Sequence, residues 1–474
     1  MAVDRGPCPS ARLIAAEIAA GDRTCVAVAE AALVRIEATS DLRAFLAVNP
    51  ALLDDARRLD AARADGMVGP LHGVPVAIKD NVETRDMPTT AGAVALRGLR
   101  TGRDAAVVAR LRAAGALIVG KTNLDELAIA GRGDSGLGGQ MRHPLDRSRH
   151  PGGSSGGSAL ALLFGAAALA VGTETVNSLR LPASATGTVA IHPAREAVPR
   201  TGVVPQSPLT DVVGPMARDV RDAALLLPIM AGHPPLGPPG PLDPARVRIG
   251  VPRSMFGDRP EHAGVNGAVE AALDAARAAG AAVIPIDDDT LATAPLYERL
   301  AVQVHEVADA FAAYMIEIAD LPSAQVPIGV RTLADILRHG PHAPLVRPFV
   351  EAALAGAAAD RAKAISAHQE AVREVEQSLR AHFAIQALDV VVYPLCHRPA
   401  ARPIGEPSRP ERNGVLAAAL GWPAVNLPVG TVWEAGASSA LPVGLDVLAP
   451  PGAEERLIEI ASWIEGWVPD SCRG

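Results

Sequence analysis

Aromatic residues are scarce in this chain: Phe, Trp and Tyr together make up 3% of 474 residues. That excludes a surface built for stacking bases or sugar rings, and leaves the core to Ala, Val, Leu and Ile. Cysteine is scarcer still. Cys8, Cys25, Cys396 and Cys472 lie far apart and form no CxxC pair, so they read as free thiols in a reducing compartment rather than as a disulfide framework. Long apolar runs are missing as well. The longest, Ala159 to Gly172, is too short to span a bilayer and suits a buried helix. The first residues offer no basic start followed by an apolar stretch, so no export signal is expected. No block of one charge stands out either. With 44 Lys+Arg against 52 Asp+Glu the net charge is −8, which argues against a nucleic-acid partner. The expectation is a soluble, cytoplasmic protein that binds neither membrane nor nucleic acid.

What is present is the composition of an ordered globular protein, 49% apolar and 20% charged. Apolar residues at three-to-four spacing predict helices over Ser10–Ala20, Cys25–Ala38 and Ala51–Ala64. VPVAIK (Val74–Lys79) reads as a strand delivering a lysine at its end. A helix over Asp104–Ala114, with Asp104 as its N-cap, leads into a strand over Ala116–Gly120. This alternation is the α/β pattern. From Arg132 to Gly157 periodicity vanishes into Gly, Ser, Arg and Pro, as in a functional or disordered segment. A buried helix over Ser158–Val171 and a polar turn, Thr173–Arg180, are expected next. Pro234–Pro244 is the candidate linker. Beyond it, Val247–Pro252 reads as a strand and Gly264–Gly280 as a helix. Residues 290–385 are mainly helical, Val350–Phe383 included. Strands return at Val390–Tyr393 and within Pro423–Val432 and Leu441–Leu448.

Two motifs mislead. Gly115-Ala-Leu-Ile-Val-Gly120-Lys121-Thr122 satisfies GxxxxGK[ST], but a phosphate-cradling loop needs a flexible turn where this chain has an apolar β run. Gly131-Arg-Gly133-Asp-Ser-Gly136 matches GxGxxG, yet it follows a stretch that reads as helical (Leu124–Ala130) instead of a strand. The histidines show no metal-binding spacing, and His72, His143, His150 and His192 read as loop or structural residues. No metal is expected.

The chemistry gathers elsewhere: Lys79 closing its strand, the block Pro151-Gly-Gly-Ser154-Ser155-Gly-Gly-Ser158, and Gly172-Thr-Glu-Thr-Val-Asn-Ser178-Leu-Arg180. Alone, the glycine-serine block reads as a helix-capping loop or a phosphate cradle, since amides at a helix start form an electropositive concavity. Together the pieces resemble the amidase-signature family of Ser–cis-Ser–Lys amidohydrolases. The likeness runs through most of the chain: GVPVAIKDNVETRDMPTTAG (Gly73–Gly92), GKTNLDELA (Gly120–Ala128), PGGSSGGSA (Pro151–Ala159), SLRLPAS (Ser178–Ser184), VGPMARDVRD (Val213–Asp222), GWPAVNLPVG and LPVGLDVLAPPG.

The resemblance implies an α/β fold, a large mixed β-sheet core covered by helices on both faces, in a single domain over 1–474. Within it would lie an N-terminal helical region at 1–70, a catalytic core at 71–232 and a helical, substrate-facing insertion at 290–385. It implies Ser178 as nucleophile, Ser154 as the cis-serine relay and Lys79 as general base, which requires a lysine whose pKa is pulled well down. The amides of Thr175, Val176, Asn177 and Ser178 would form the oxyanion hole. Ser155 would support the network, and Arg180 is expected to hold its loop by an ion pair. Arg132, in the loop before the serine block, reads either as solvated or as recognising a substrate carboxylate or carbonyl. No cofactor is implied.

The chain departs from its relatives where their nucleophile loop reads GTDTGGS and this one GTETVNS. Val176 and Asn177 replace glycines, so Val176 must keep φ negative or the loop must move. Thr186, His192 and Ala194 stand where relatives often carry Cys, Lys and Thr. The expected function is hydrolysis of a small polar amide. The alternatives are the glutaminase subunit of a tRNA-dependent amidotransferase, or a weakly active or inactive homologue acting as an interaction subunit. A homodimer or a small accessory subunit is compatible with each.

Overall fold

Eleven strands form one sheet that draws on the chain from residue 45 to residue 448. They are β1 (Phe45–Val48), β2 (Pro75–Lys79), β3 (Leu117–Thr122), β4 (Leu169–Glu174), β5 (Val189–His192), β6 (Val212–Ala217), β7 (Arg248–Pro252), β8 (Ala282–Ile286), β9 (Val390–Pro394), β10 (Ala424–Val432) and β11 (Leu441–Leu448). The computed structural model describes residues 9–235, 242–356, 358–406 and 411–467. Strand order is β1-β3-β2-β4-β6-β5-β10-β11-β9-β7-β8. β2 runs parallel to β3 and β4, and β7 parallel to β8 and β9, while β4/β6, β5/β6, β5/β10, β10/β11 and β9/β11 are antiparallel. The sheet is therefore mixed.

Helices cover both faces, which is why the central strands are apolar throughout rather than alternating with polar residues. The alternation survives in what each side chain packs against. Val76, Ile78, Val390, Val392, Val425 and Leu427 join one large core with the helices Ala11–Ala20, Cys25–Ala38, Val220–Ala231, Ala263–Ala278 and Glu454–Glu465. Ala77, Ala170 and Ala190 face the other way, onto the helices Gly156–Leu163 and Arg180–Thr186. Val391, Tyr393 and Leu448 face a third cluster with Leu416 and Trp422. The helices of residues 307–355 build a separate apolar cluster around Phe311, Met315, Ile336 and Val350.

Several boundaries coincide with the pattern of the sequence. The second helix spans Cys25–Ala38, with Thr24 Oγ1 accepting from Ala27 N at 3.1 Å as its N-cap. Others do not. Asp104 caps no helix: the element is Ala106–Ala113, and the Asp104 carboxylate instead accepts from Arg85 N and meets Arg112. The helix expected over Ser158–Val171 is Gly156–Leu163; a turn follows, and the run's last residues, from Leu169, belong to strand β4, since Ala, Leu and Val in series fit a buried strand as well as a buried helix. Leu124–Ala130 is not helical either. Only a short 3₁₀ turn forms, with Leu127 and Ala128 at φ of 56° and 60°, because Glu126 N and Leu127 N are claimed by Asp134 O and Ala91 O. The helical stretch expected over Val350–Phe383 is carried by the helices Val346–Ala355 and Ala358–Gln386. Strand β3 runs past the expected end at Gly120 through Lys121 to Thr122. Lys121 is buried against Asp80 at 3.0 Å and is not free to meet a phosphate. Most of the Pro234–Pro244 linker, with Cys8 and Cys472, lies outside the described residues.

Candidate active site

Lys79 ends β2 on the face that Ala77 presents to the helix Gly156–Leu163. Its side chain is fully buried. Nζ lies 2.7 Å from Ser154 Oγ, 2.8 Å from Thr173 Oγ1 and 3.1 Å from Thr173 O. Asn81 Nδ2 donates to the same Thr173 hydroxyl at 3.0 Å. Burial holds the Lys79 pKa down from 10.5 to about 7, against the pull of the Asp125, Asp211 and Glu174 carboxylates. An amine so placed can lose its proton near neutrality and take one from a hydroxyl.

Ser154 follows a cis peptide bond from Gly153, and its carbonyl accepts from Asp125 N at 3.3 Å. The Asp125 carboxyl is buried behind this peptide. Oδ1 accepts from Arg132 N (2.8 Å) and Asp134 N (3.2 Å), while Oδ2 has no hydrogen-bond partner among the described residues. It lies so close to Gly153 that a Cβ there would stand 1.8 Å away. Burial raises Asp125 to about 7, against the amides of Arg132 and Asp134 and the charge of Lys79. Ser155 joins the two serine loops: Oγ donates to Thr173 O at 3.2 Å and accepts from Thr173 N, and its amide donates to Ser178 O at 3.1 Å.

The loop from Thr175 to Ser178 leaves β4 toward the helix Arg180–Thr186. Among the described residues, no carbonyl or side chain accepts from the amides of Thr175, Val176, Asn177 or Ser178. Four unsatisfied donors in a row, in residues that are mostly buried, make a concavity suited to a developing negative charge. Val176 and Asn177 both avoid positive φ, so the loop is built without glycine geometry. Room comes from across the site: a Cβ on Gly414 would stand 2.5 Å from Asn177 Cβ and 3.1 Å from Val176 O. Ser178, 8% exposed, makes no hydrogen bond through its hydroxyl among the described residues. The structure thus brings Lys79 and Ser154 together and ties Ser178 to them through backbone.

Arg180 is buried completely. It donates to Glu174 Oε1 through Nε (2.9 Å) and Nη2 (2.5 Å), to Gly414 O at 2.6 Å, and pairs with Asp446 on β11. Glu174 also accepts from Leu179 N and Arg180 N. The cluster therefore pins both ends of the loop. His192 is buried 3.8 Å from Glu174, and burial lowers it to about 4, so it is neutral. Thr175 Oγ1 donates to Asp211 at 2.6 Å. Arg132 is half-buried, its amide on Asp125 and, among the described residues, its guanidinium in no ion pair. It lines a cleft with His150, Leu181, Cys396 and Arg412. Among the described residues there is no group of His, Cys, Asp and Glu side chains that could hold a metal. Sequence reasoning does not single out Asp125, Thr173 or Asn81, although they lie in the stretches GKTNLDELA, GTETVNS and GVPVAIKDNVETRDMPTTAG. Gly414 and Arg412 carry no signal there at all.

The Amidase family model matches residues 27–458. A glutamyl-tRNA(Gln) amidotransferase subunit from Salinispora tropica is 32% identical, over 97% of this chain and 97% of its own length. The corresponding subunit from Streptomyces coelicolor is 32% identical over 96% of each. Among solved structures, native peptide amidase from Stenotrophomonas maltophilia superposes with a TM-score of 0.82 at 32% identity, covering 99% of both chains.

Proposed function

Because the chain belongs to the amidase-signature family, whose members are hydrolases acting on C–N bonds, we propose that it hydrolyses a small polar amide through an acyl-enzyme on Ser178. The observation that carries this reading is the buried Lys79 amine, 2.7 Å from Ser154 Oγ and held to a pKa of about 7. In the neutral form Lys79 accepts a proton from Ser154, which takes one from Ser178. The Ser178 oxygen then bonds to the amide carbon. The oxygen charge that develops is met by the free amides of residues 175–178, a contribution worth on the order of 100- to 1,000-fold per donor in comparable sites. The proton held at Lys79 returns through Ser154 to the nitrogen as the C–N bond breaks. A water molecule attacks the acyl carbon along the same relay and restores Ser178.

A small polar substrate is supported by the shortage of aromatics to line an apolar pocket. The helical region 290–385 is proposed as part of its wall. Val176 packs into the cluster formed by Leu296, Leu300, Val375 and Leu379, and Glu306 accepts from Ser207, which in turn donates its amide to Asp211. A second reading, the glutaminase subunit of a tRNA-dependent amidotransferase, is favoured by the identity to such subunits over nearly the whole chain. It differs in predicting a strong preference for glutamine and a partner subunit that co-purifies.

Intact mass after incubation with a fluorophosphonate tests the shared chemistry. A single adduct on the folded wild type, absent from Ser178→Ala and Lys79→Ala, is expected. Its absence from wild type, with a smaller sulfonyl fluoride equally silent, overturns the reading in favour of an interaction protein. Ammonia release from an amide panel including glutamine then separates the two enzymes.

A further inference from the structure

Strands β4 and β6 part just where the free amides begin. Their antiparallel register ends with Glu174 opposite Val212, so the next position across the ladder sets Thr175 against Asp211. Among the described residues no backbone hydrogen bond joins that pair. A side chain takes over: Thr175 Oγ1 donates to Asp211 Oδ1 at 2.6 Å. A hydroxyl on a carboxylate makes a short, strong bond, and here it closes the ladder at the mouth of the loop.

The carboxylate can act as a fixed point because its own turn is closed. Oδ2 accepts from Gln206 N (2.7 Å) and Ser207 N (2.8 Å), and the amides of Thr210 and Asp211 both donate to Ser207 O. That turn is tied to three other segments. Val204 N donates to Asn81 O at 2.8 Å, close to Lys79 in the chain. Gln206 Nε2 donates to Ala128 O at 3.2 Å, close to Asp125, and Ser207 Oγ donates to Glu306 in the region 290–385. Asn81, Thr173, Thr175 and Asp211 line one cleft, which places the pair at the wall of the site.

Within the loop, most peptides are oriented by their carbonyls. Val176 O accepts from Arg180 Nη2 at 3.4 Å and Asn177 O from Leu181 N at 2.7 Å, which fixes the planes that carry the amides of Asn177 and Ser178. The peptide between Thr175 and Val176 differs. Among the described residues neither its carbonyl nor its amide is hydrogen-bonded, so its direction depends on how the Thr175 Cα is held. Oxyanion donors contribute only when they are preorganised toward the developing charge.

We propose that Asp211 is a positioning residue of the acyl transfer, holding the Thr175 hydroxyl so that the amides of Thr175 and Val176 face the oxygen on which charge develops. This rests on the amidase reading and adds to it a residue that acts through another.

Labelling kinetics test it without a known substrate. With a fluorophosphonate, Ser178 Oγ bonds to phosphorus, fluoride leaves, and the phosphoryl oxygen takes the place of the amide oxygen. Thr175→Val keeps the side chain's shape and deletes its hydroxyl. Its maximal labelling rate is expected to fall about tenfold or more, with the half-saturating probe concentration unchanged. Thr175→Ser restores the hydroxyl and should recover most of the rate. Asp211→Asn should be slow as well, since a carboxamide cannot accept both from the hydroxyl on one side and from two amides on the other. Its acidic limb should also move to lower pH, because the Asp211 charge, with those of Asp125 and Glu174, favours protonated Lys79. The limb of Thr175→Val should stay in place.

A Thr175→Val protein that labels at the wild-type rate, or a Thr175→Ser protein that is equally slow, overturns the proposal. Slow Asp211→Asn beside fast Thr175→Val also overturns it, since the carboxylate would then act on Lys79 by charge alone. Should Asp211→Asn fail to fold, the charge-neutral Thr175 variants decide by themselves. If wild type labels and Thr175→Val labels equally fast, the amidase reading stands and this inference alone fails. A wild type silent to both the fluorophosphonate and the sulfonyl fluoride removes the two together.

Discussion

Lys79 sets the pH behaviour of the proposed reaction. Only its neutral form accepts a proton, and burial lowers its pKa to about 7. kcat/KM for any amide is therefore expected to rise with pH through an apparent pKa near 7 and level off above it. Asp125 pulls in the opposite sense, since its charge favours the protonated lysine. Asp125→Asn keeps an oxygen for the amides of Arg132 and Asp134 but removes that charge, so the acidic limb should move to lower pH by about one unit. A pH profile of the variant checks this, and a limb that stays in place would show that Asp125 acts on geometry alone. Little of this is legible in the sequence. Lys79, Ser154 and Ser178 can be picked out because Ser154 lies in a glycine-serine block and the other two in stretches that resemble family motifs. Asp125 and Thr173 lie in the same motifs but acquire their contacts only when β2, β3 and β4 come side by side.

At the scale of elements, the loop of residues 175–178 depends on what faces it. Two side chains larger than glycine are accommodated because Gly414, at the start of the helix Val415–Leu420, offers no Cβ to Asn177. Gly414→Ala is expected to push the loop off its position and lower kcat about 10- to 100-fold, a partial loss of oxyanion donors, with the far-ultraviolet circular dichroism unchanged. Kinetics beside the spectrum decide whether the loop or the fold is at fault. The sequence shows that the loop is unusual and that Val176 must keep φ negative; it does not show the compensating glycine, more than 200 residues away. The same limit explains the misread elements. Cys25–Ala38 and Leu441–Leu448 are visible because one has a cap and helical period and the other apolar residues at period two, Leu441, Val443, Leu445 and Val447. Leu127 and Ala128 adopt left-handed backbone because tertiary hydrogen bonds outweigh helical propensity there.

At the scale of the whole molecule, the sheet order matters most. Strand β11 is eight residues long and follows all the proposed catalytic residues by more than 250 positions, yet it supplies Asp446 to Arg180. Glu174, Arg180 and Asp446 are all fully buried at the side chain. Removing one member of such a cluster leaves charge unpaired in the interior, which costs about 3–5 kcal/mol. Arg180→Met is expected to lower the urea midpoint accordingly and to abolish labelling of Ser178 before the protein unfolds. A variant that is destabilised but still labelled would separate the cluster's role in stability from its role in the loop.

The Arg180–Asp446 pair has a consequence for the order in which the chain becomes competent. Lys79, Ser154 and Ser178 leave the ribosome long before β11 does. Until β11 inserts between β10 and β9, Arg180 lacks one of its two carboxylates and the loop of free amides lacks its anchor. A nascent or truncated chain that stops short of β11 therefore carries the three residues without the frame that organises them.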